Sequence, residues 1–422
     1  MPSQYAKKRQ LEGAWDIDLQ RLDLERLFTD FGYYAEQVLK IYPKHEGGAI
    51  PLRLNTCQRL LCYGLPPGGQ EDPRFSQARI GVGWVRKKQT GQPIREIILK
   101  FRQMGMSTLA TAWAFYHAHT TYGHNAMIVA HDEDTTKHLF RMCQTYFTGL
   151  PRQLRPSVSN RTSAEIVFSE QQGDGGLGSG IYTATAGHTE SGHGRTIHTL
   201  ILSEVSRWRD FERVIVGLLE TVPSSAETSP GTTVIMESVA NVAGDYFHHL
   251  YEEAKQGRGG MEPIFLPWYL MDEYRLTCPE DFEFPDHIVE MAKEYPWVTR
   301  DQWYWYTKKW ETQEIAHPGR GDRFMRMLYP SNESEAFIAQ GFCAFPESGI
   351  LYFQPRVKDP PMYGEVIGGS VVRQPYGRLR IWELPQPGTL YVLGADPASG
   401  SGRAASAIEV IAYPGYRQVA EW

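Results

Sequence analysis

Short apolar runs alternate with longer segments of helical periodicity through the middle of the chain. The run PIREIILK at 93–100 is rich in β-branched residues and predicts a strand, whereas STLATAWAFYHAHTTY at 107–122 predicts a helix. This alternation predicts a mostly parallel sheet with helices on both faces, and such sheets bind ligands at the carboxyl ends of their strands. The further predicted strands are 124–131, 198–204 and 232–239, and the further predicted helices are 132–150, 209–222 and 243–255.

The flanking segments have different patterns. Residues 1–50 carry apolar positions at helical spacing around LQRLDLERLF and are expected to form a helical, peripheral region. Residues from about 285 to 330 are predicted to be helical, and they close a domain of residues 51–350. Residues 351–422 are a further β-rich segment, in which the strand YVLGADPAS ends at Asp396.

Charge and cysteine content narrow the class of protein. The 422 residues have a formal net charge of −6, which disfavours a strongly basic nucleic-acid-binding protein but leaves local patches open, such as Arg86, Lys87 and Lys88. Five cysteines without Cys-x-x-Cys spacing predict neither a disulfide framework nor a zinc site. The start lacks the apolar core of a signal peptide, and no stretch reaches the roughly 18 apolar residues of a membrane span. The protein is therefore expected to be soluble, intracellular and not secreted.

The turn after the first strand, KFRQMGMST at 100–108, has features of a phosphate-binding loop. Such a loop needs backbone N–H groups that point at phosphate, a cation, and a hydroxyl for Mg²⁺ at the start of a helix. Gly105 supplies a flexible backbone, and Ser107 or Thr108 supplies the hydroxyl.

The same turn departs from the standard pattern in its positive charge. Met106 stands where the pattern G-x-x-x-x-G-K-[ST] has its Lys, and Lys100 replaces its first Gly. Lys100 and Arg102 therefore remain the candidate cations, from the other side of the loop. A plain βα turn with a glycine is the alternative.

Glu204 lies at the end of the predicted strand 198–204. Hydrolysis of ATP needs a carboxylate that orients the attacking water at the carboxyl end of a neighbouring strand, and Glu204 has that position. A second carboxylate usually precedes it and holds Mg²⁺ through water, but that position is Ser203. The alternative for Glu204 is a solvated strand end.

Four further residues suit related roles. The amide of Gln58 has the donor and acceptor to bind adenine, although a lone Gln is ordinarily structural. Ser238 and Asn241 follow a strand end, where they either sense a γ-phosphate or cap a helix. Asp396 is either one ligand of a two-metal nuclease site or a turn residue before Pro397.

In order and spacing, the motifs resemble one protein family. They are LNTCQ (54–58), ILKFRQMGMST (98–108), MIVAHDEDTTKHLF (127–140), HTLILSEVSRW (198–208), MESVANVAGDYF (236–247), YPSNESEAF (329–337) and GADPASG (394–400). Together they resemble the large terminase subunit of tailed bacteriophages, the motor that packs viral DNA into a procapsid. The resemblance extends from about residue 50 to the end, and the combination of K-x-R-Q-x-G-x-S-T with L-S-E-V-x-x-W is its most specific part.

The resemblance implies an α/β fold with two parts. Residues 51–350 would be a P-loop ATPase domain of the ASCE type, with a mostly parallel sheet flanked by helices and a helical C-terminal subregion. Residues 351–422 would be a linker and the beginning of an RNase H-like nuclease domain. Because little follows Asp396, this nuclease domain is expected to be incomplete, and the chain alone is expected not to cut DNA.

The resemblance also implies ATP and Mg²⁺ as cofactors and a role for each candidate residue. Glu204 would be the catalytic carboxylate, Gln58 the adenine contact, and Arg195 an arginine that acts on a neighbouring subunit's ATP. Glu237, Ser238 and Asn241 would couple hydrolysis to movement. The nucleotide would be held by Lys100, Arg102, Gln103, Gly105, Met106, Ser107 and Thr108, with metal ligands at Ser107 and, in the nuclease domain, Asp396.

The implied partners are double-stranded DNA, a portal protein and a small terminase subunit. The chain would act in a homo-oligomeric ring in the cytoplasm of an infected bacterial host. Two other functions stay open. The absence of the usual Lys and Asp favours a nucleotide- or DNA-binding scaffold without turnover. A helicase-type motor shares a Gln upstream of the loop and a coupling motif, but it would need a second motor domain.

Overall fold

The structure is a computed structural model that describes two compact units, residues 1–341 and 342–422. The described residues are 22–42, 48–170, 176–186, 194–208, 211–223, 231–241, 245–338, 357–375, 377–397 and 406–422.

The first unit contains a short antiparallel pair and a large sheet. The pair is formed by β1 (Lys40–Ile41) and β2 (Ile50–Pro51). The large sheet has eight strands in the order β10-β3-β9-β8-β4-β7-β6-β5. Neighbours from β10 to β7 are parallel, whereas β6 and β5 extend the sheet in antiparallel fashion. The strands are β3 (Ile94–Leu99), β4 (Asn125–Ala130), β5 (Val158–Arg161), β6 (Glu165–Phe168), β7 (Gly180–Thr185), β8 (Thr199–Ser203), β9 (Thr233–Ser238) and β10 (Glu262–Phe265).

Alternate side chains of each central strand enter opposite cores. On β3, Ile94 and Ile98 pack into a first core on one face of the sheet, while Ile97 and Leu99 pack into a second core on the other face. The period of two residues along a strand sends successive side chains to opposite faces, so a strand buried on both sides is apolar throughout. The predicted mostly parallel sheet with helices on both faces is confirmed.

Helices cover both faces of this sheet. Those of the first core include α5 and α6, and those of the second include α7 and α8. The helices are α1 (Leu24–Thr29), α2 (Phe31–Val38), α3 (Thr56–Tyr63), α4 (Trp84–Gln89), α5 (Met106–Thr120), α6 (Glu133–Gly149), α7 (Phe211–Leu219), α8 (Tyr246–Lys255), α9 (Asp286–Glu294), α10 (Arg300–Ala316), α11 (Gly321–Leu328) and α12 (Glu333–Ile338).

The expectation that the N-terminal helical region is peripheral is wrong for α2, whereas five of the six residues of α1 are exposed. Phe31, Tyr34 and Val38 of α2 are fully buried in the first core, where Phe31 contacts Trp113 of α5 with ring centroids 5.1 Å apart. The aromatic side chains on this helix face are too large to leave in water, so the helix packs onto α5. None of the described helices is both long and apolar enough to cross a membrane.

The second unit, as far as it is described, is an antiparallel sheet of six strands in the order β12-β11-β13-β16-β15-β14. Asp396 ends β14, is exposed, and lies opposite Ala407. The described residues contain no group of three or more His, Cys, Asp or Glu side chains that could hold a metal ion. The strands are β11 (Met362–Ile367), β12 (Ser370–Arg373), β13 (Leu379–Ile381), β14 (Leu390–Asp396), β15 (Ala407–Tyr413) and β16 (Arg417–Glu421).

Candidate functional site

The turn between β3 and α5 has the backbone of an anion-binding loop. Gln103 and Gly105 both have positive φ angles, 64° and 80°, which reverse the chain within a few residues. Across the described part of the chain, no backbone N–H from Gln103 to Thr108 donates to a protein acceptor. Unpaired N–H groups at the start of a helix, together with the helix dipole, favour a bound anion.

Two side chains of α3 and its cap hold the carbonyl groups of this turn. Asn55 Nδ2 donates to the carbonyl of Met104 at 3.0 Å, and Gln58 Nε2 donates to the carbonyl of Gly105 at 2.9 Å. Asn55 and Gln58 also form a capping box, in which Gln58 Oε1 accepts from the backbone N–H of Asn55 at 3.0 Å. The carbonyl groups are therefore bonded on the side of α3, and the N–H groups are left for a ligand.

This arrangement gives Gln58 a partner that the sequence did not suggest. Its side chain is 4% exposed, and both ends of its amide are already bonded to this chain. The same arrangement explains why position 105 is a glycine. A Cβ there would lie 2.8 Å from Gln58 Nε2, and any other residue would have to adopt a left-handed backbone conformation. The predicted adenine contact of Gln58 stays a prediction.

Lys100 lies directly after β3 and is buried between two carboxylates. Its Nζ is 2.9 Å from Glu204 Oε1 and 2.5 Å from Glu237 Oε2. Glu237 Oε1 accepts a hydrogen bond of 2.6 Å from Ser203 Oγ. We call Lys100, Ser203, Glu204 and Glu237 the Lys100 cluster. Since β9 lies between β3 and β8, the ends of three adjacent parallel strands build it.

The cluster holds one more negative than positive charge when its members are ionised. Burial raises the pKa of Glu237, and Lys100 offsets this only in part. Burial also opposes ionisation of Glu204, but the ion pair with Lys100 lowers the pKa of this carboxyl below its ordinary value. Burial disfavours the charge of Lys100, yet the two carboxylates raise its pKa. Of the two carboxyl groups that face Lys100, that of Glu204 is therefore the more acidic.

Glu204 has a strained backbone and an unpaired oxygen. Its φ of 55° and ψ of 44° are in the left-handed region, which is uncommon for a residue other than glycine and is found at sites of function. Among the described residues, its Oε2 atom is buried and accepts no hydrogen bond, and Arg207 Nε lies 3.8 Å away. A buried carboxylate oxygen without a donor fits a water molecule or a hydrated Mg²⁺ ion.

The hydroxyl groups at the start of α5 differ in their surroundings. Thr108 Oγ1 contacts Met142 Sδ at 3.9 Å, and its carbonyl accepts from Tyr146, so Thr108 faces α6. Ser107 is half-buried and its hydroxyl has no such contact in the described structure. Ser107 is therefore the better candidate for a Mg²⁺ ligand. The side chain of Met106 is buried in the core, so Met106 can contribute its backbone N–H alone.

The predicted coupling residues bind the turn that follows Glu204. Ser206 Oγ lies 2.6 Å from Ser238 Oγ, and Asn241 Nδ2 donates to the carbonyl of Ser206 at 3.1 Å. Arg102, Arg207 and Asn241 line a cavity of about 180 Å³. The structure thus connects the phosphate-loop candidate, the turn after Glu204 and the segment after β9.

The two remaining predicted residues are Arg195 and Asp396. Arg195 stacks over the ring of Tyr182 at 4.3 Å, and its Nη1 is 3.6 Å from Glu165 Oε2, on the antiparallel side of the sheet. Asp396 belongs to the second unit. The roles predicted for both stay predictions.

Sequence reasoning missed Asn55 and Arg207 as members of the site. The spacing Asn55-x-x-Gln58 is that of a capping box, which is a signal for a helix start but not for a contact with a distant loop. Arg207 lies three residues after Glu204 and carried no signal of its own. Lys87, one of the basic residues suggested for DNA binding, is buried and pairs with Glu96 and Glu262, so that suggestion is wrong for this residue.

The fold and the site define an α/β protein with a mostly parallel sheet, a phosphate-loop-like turn and a carboxylate cluster at the carboxyl ends of its strands. No family model matches the sequence, and no curated protein matches it. Among solved structures, the chain is similar to the large terminase ATPase domain of Thermus phage P74-26, with a TM-score of 0.36 and 14% identity over 56% of this chain and 88% of that one. It is also similar to the large terminase of bacteriophage HK97, with a TM-score of 0.47 and 10% identity over 94% of this chain and 67% of that one. At this level of identity and superposition, the similarities carry no inference about function.

Proposed function

We propose that this chain is an ATP-hydrolysing motor subunit that moves double-stranded DNA, as in the packaging of a viral genome. The observation that carries the proposal is the position of the Lys100 cluster beside a loop of unpaired N–H groups. Phosphoryl transfer needs positioning and charge stabilisation more than covalent chemistry, and these two features supply both.

Each part of the site has a role in this proposal. The N–H groups of residues 103–108 bind the phosphates, and Arg102, which is exposed on the same loop, adds positive charge. Ser107 and the carboxylate oxygen of Glu204 hold Mg²⁺ directly or through water. When bound, Mg²⁺ neutralises the charge that develops on the phosphate oxygens. Glu204 orients the attacking water, and the site lies at the carboxyl edge of the sheet, where such ligands bind.

The contacts after Glu204 suit a coupling role. Ser206 bonds both Ser238 and Asn241, so a shift of Glu204 on hydrolysis would move the segment after β9. A small displacement at an effector site is transmitted when the packed elements have two discrete arrangements. In the proposed assembly, Arg195 acts on the ATP of a neighbouring subunit in a homo-oligomeric ring, with a portal protein, a small terminase subunit and DNA as partners.

One observation favours a second candidate function, a nucleotide- or DNA-binding scaffold without turnover. Lys100 is held by two carboxylates, and a cation fixed in this way has less freedom to reach a phosphate. A helicase-type motor is less favoured, because the described part of the second unit is an antiparallel sheet and not a second parallel α/β domain.

The experiment that tests the proposal is ATP hydrolysis by the purified protein, with and without linear double-stranded DNA, at two salt concentrations and several protein concentrations. We expect turnover that rises with protein concentration and with DNA, and a DNA effect that weakens at higher salt. Clear nucleotide binding without turnover under all of these conditions would instead support the scaffold.

A further inference from the structure

The position before Glu204 leaves the proposed site one carboxylate short. Glu204 follows Ser203 at the end of β8, and Ser203 stands where a second carboxylate would hold hydrated Mg²⁺. A hydroxyl carries no charge, so Ser203 alone cannot replace a carboxylate. The missing negative charge must come from elsewhere if the site binds Mg²⁺.

Glu237 on the neighbouring strand lies directly beside this gap. Ser203 and Glu237 are paired in register between β8 and β9, and their side chains are bonded at 2.6 Å. Glu237 is completely buried, so its carboxylate makes no contact with solvent. Because the proton of the Ser203 hydroxyl is used by Glu237, the lone pairs of Ser203 Oγ remain to accept from a water molecule.

Glu237 also determines the position of Lys100. The ammonium group lies between Glu237 and Glu204, and its shorter contact, 2.5 Å against 2.9 Å, is with Glu237. Without that contact, the buried Lys100 charge would be compensated by Glu204 alone. An ion pair becomes stronger as its competitors are removed, so Glu204 would then be held by Lys100 and would be less available to water.

We infer that Glu237 is a positioning residue that supplies the second carboxylate charge of this site from the adjacent strand, through Ser203 and Lys100. The inference rests on the proposed function. It assigns to Glu237 a role in metal-dependent nucleotide binding and in the chemical step, in addition to any part in coupling.

The first test is Glu237→Gln, which keeps the size of the side chain and an acceptor for Ser203 but removes the charge. We expect kcat for ATP to fall about 30-fold or more, with a change in KM of less than about threefold, because the loss lies in the transition state. The Mg²⁺ concentration for half-maximal binding of a fluorescent non-hydrolysable ATP analogue should rise at least about fivefold, which a purely structural role would not change. A kcat and a Mg²⁺ requirement within about twofold of the wild type would overturn the inference.

The second test moves the carboxylate to the other strand. In the double variant Ser203→Asp/Glu237→Ser, the charge and the hydroxyl exchange places across the same paired register. We expect at least about tenfold higher kcat than for Glu237→Gln, and a Mg²⁺ requirement that returns toward the wild-type value. A folded double variant without either recovery would contradict the inference.

Two further measurements keep the test decisive. If the double variant does not fold, Glu237→Asp replaces it, and equal turnover in Glu237→Asp and Glu237→Gln overturns the inference. Glu96→Gln is the matched control, since Glu96 is a buried, lysine-paired glutamate on β3 outside the site. A wild-type chain with neither turnover nor Mg²⁺-dependent nucleotide binding would refute the proposed function itself. Turnover that is lost in Glu204→Gln but kept in Glu237→Gln would refute only the role of Glu237.

Discussion

Two buried lysines in this molecule each lie between two glutamates, but the two groups differ in how fully their carboxylate oxygens are bonded. Lys87 Nζ lies 2.8 Å from Glu96 Oε1 and 2.5 Å from Glu262 Oε2, and the second oxygen of Glu96 accepts from Trp84 Nε1 at 2.7 Å. We call these four residues the Lys87 cluster. In the Lys100 cluster, the corresponding free oxygen of Glu204 has no donor among the described residues.

The two clusters share one strand and one face of the sheet. Glu96 and Lys100 are four residues apart on and just after β3, which corresponds to about 13 Å along a strand. Period-two alternation places both on the side of α5. The difference is in their position along the sheet, because Glu96 lies within the strand and Lys100 lies at the carboxyl edge, where the loop of unpaired N–H groups begins. A buried charge that is fully bonded has a structural role, and one left with an unpaired atom is available for a ligand.

The largest expected effect separates the clusters by activity. Glu204→Gln should lower kcat for ATP about 1,000-fold while nucleotide binding is kept, because the amide cannot take up a proton from the attacking water. The free energy of unfolding should change little, since Lys100 retains Glu237. Steady-state turnover and binding of a fluorescent nucleotide, measured on one preparation, check this. Turnover that survives the change would show that Glu204 is not the catalytic carboxylate.

The converse substitution should act on stability and not on turnover. Glu96→Gln removes one carboxylate from Lys87, whose remaining partner Glu262 is more exposed to solvent. We expect a loss of about 3–4 kcal/mol in the free energy of unfolding, as for a broken buried ion pair, with unchanged turnover per folded molecule. Denaturant unfolding and ATP hydrolysis give the two values. A fall in turnover without a loss of stability would break the comparison between the clusters.

Glu335 provides a third case, a buried carboxyl without a paired lysine. Burial raises its pKa from 4.5 to about 7, although the backbone N–H of Ser331 donates to it. The pKa is higher in the folded state, so the unfolded chain releases its proton first as pH rises. This group therefore costs no stability below about pH 4.5 and costs about 3 kcal/mol above about pH 7.

Glu335→Gln should remove this pH dependence. Relative to the wild type, the variant should gain about 2–3 kcal/mol in the free energy of unfolding between pH 5 and pH 8. Urea unfolding at the two pH values measures the change. A parallel shift at both pH values would mean that Glu335 is compensated by a charge such as Arg326.

The sequence predicted the elements of the central sheet better than their order. β3, β4, β8 and β9 are continuous apolar runs, and all four were predicted. β5 and β6 were missed because they are only four residues long, and β7 was missed because it carries small and polar residues. β10 was missed because it is four residues long and contains Pro263. Such segments become strands through pairing with their neighbours, which local patterns do not record.

The site was predictable to a similar degree. The loop, Glu204 and the gap at Ser203 follow from local motifs. The contact that fills the gap depends on β9 lying between β3 and β8, a long-range pairing that one sequence does not reveal. The same reason applies to Gln58, whose bond to Gly105 joins residues that are 47 positions apart.

Gln58 therefore offers the smallest but most specific of the expected effects. If its amide holds the loop, Gln58→Leu should weaken binding of ATP and GTP equally, by about tenfold, because the loop and not the base is affected. If its amide binds adenine, the substitution should weaken ATP alone. Competition of ATP and GTP against one fluorescent analogue distinguishes the two roles, with Asn55→Ala as the matched control, since Asn55 holds the adjacent carbonyl of the same loop. Equal losses in both variants would place Gln58 with the residues that shape the loop, and a loss confined to ATP would mean that the amide leaves Gly105 when nucleotide binds.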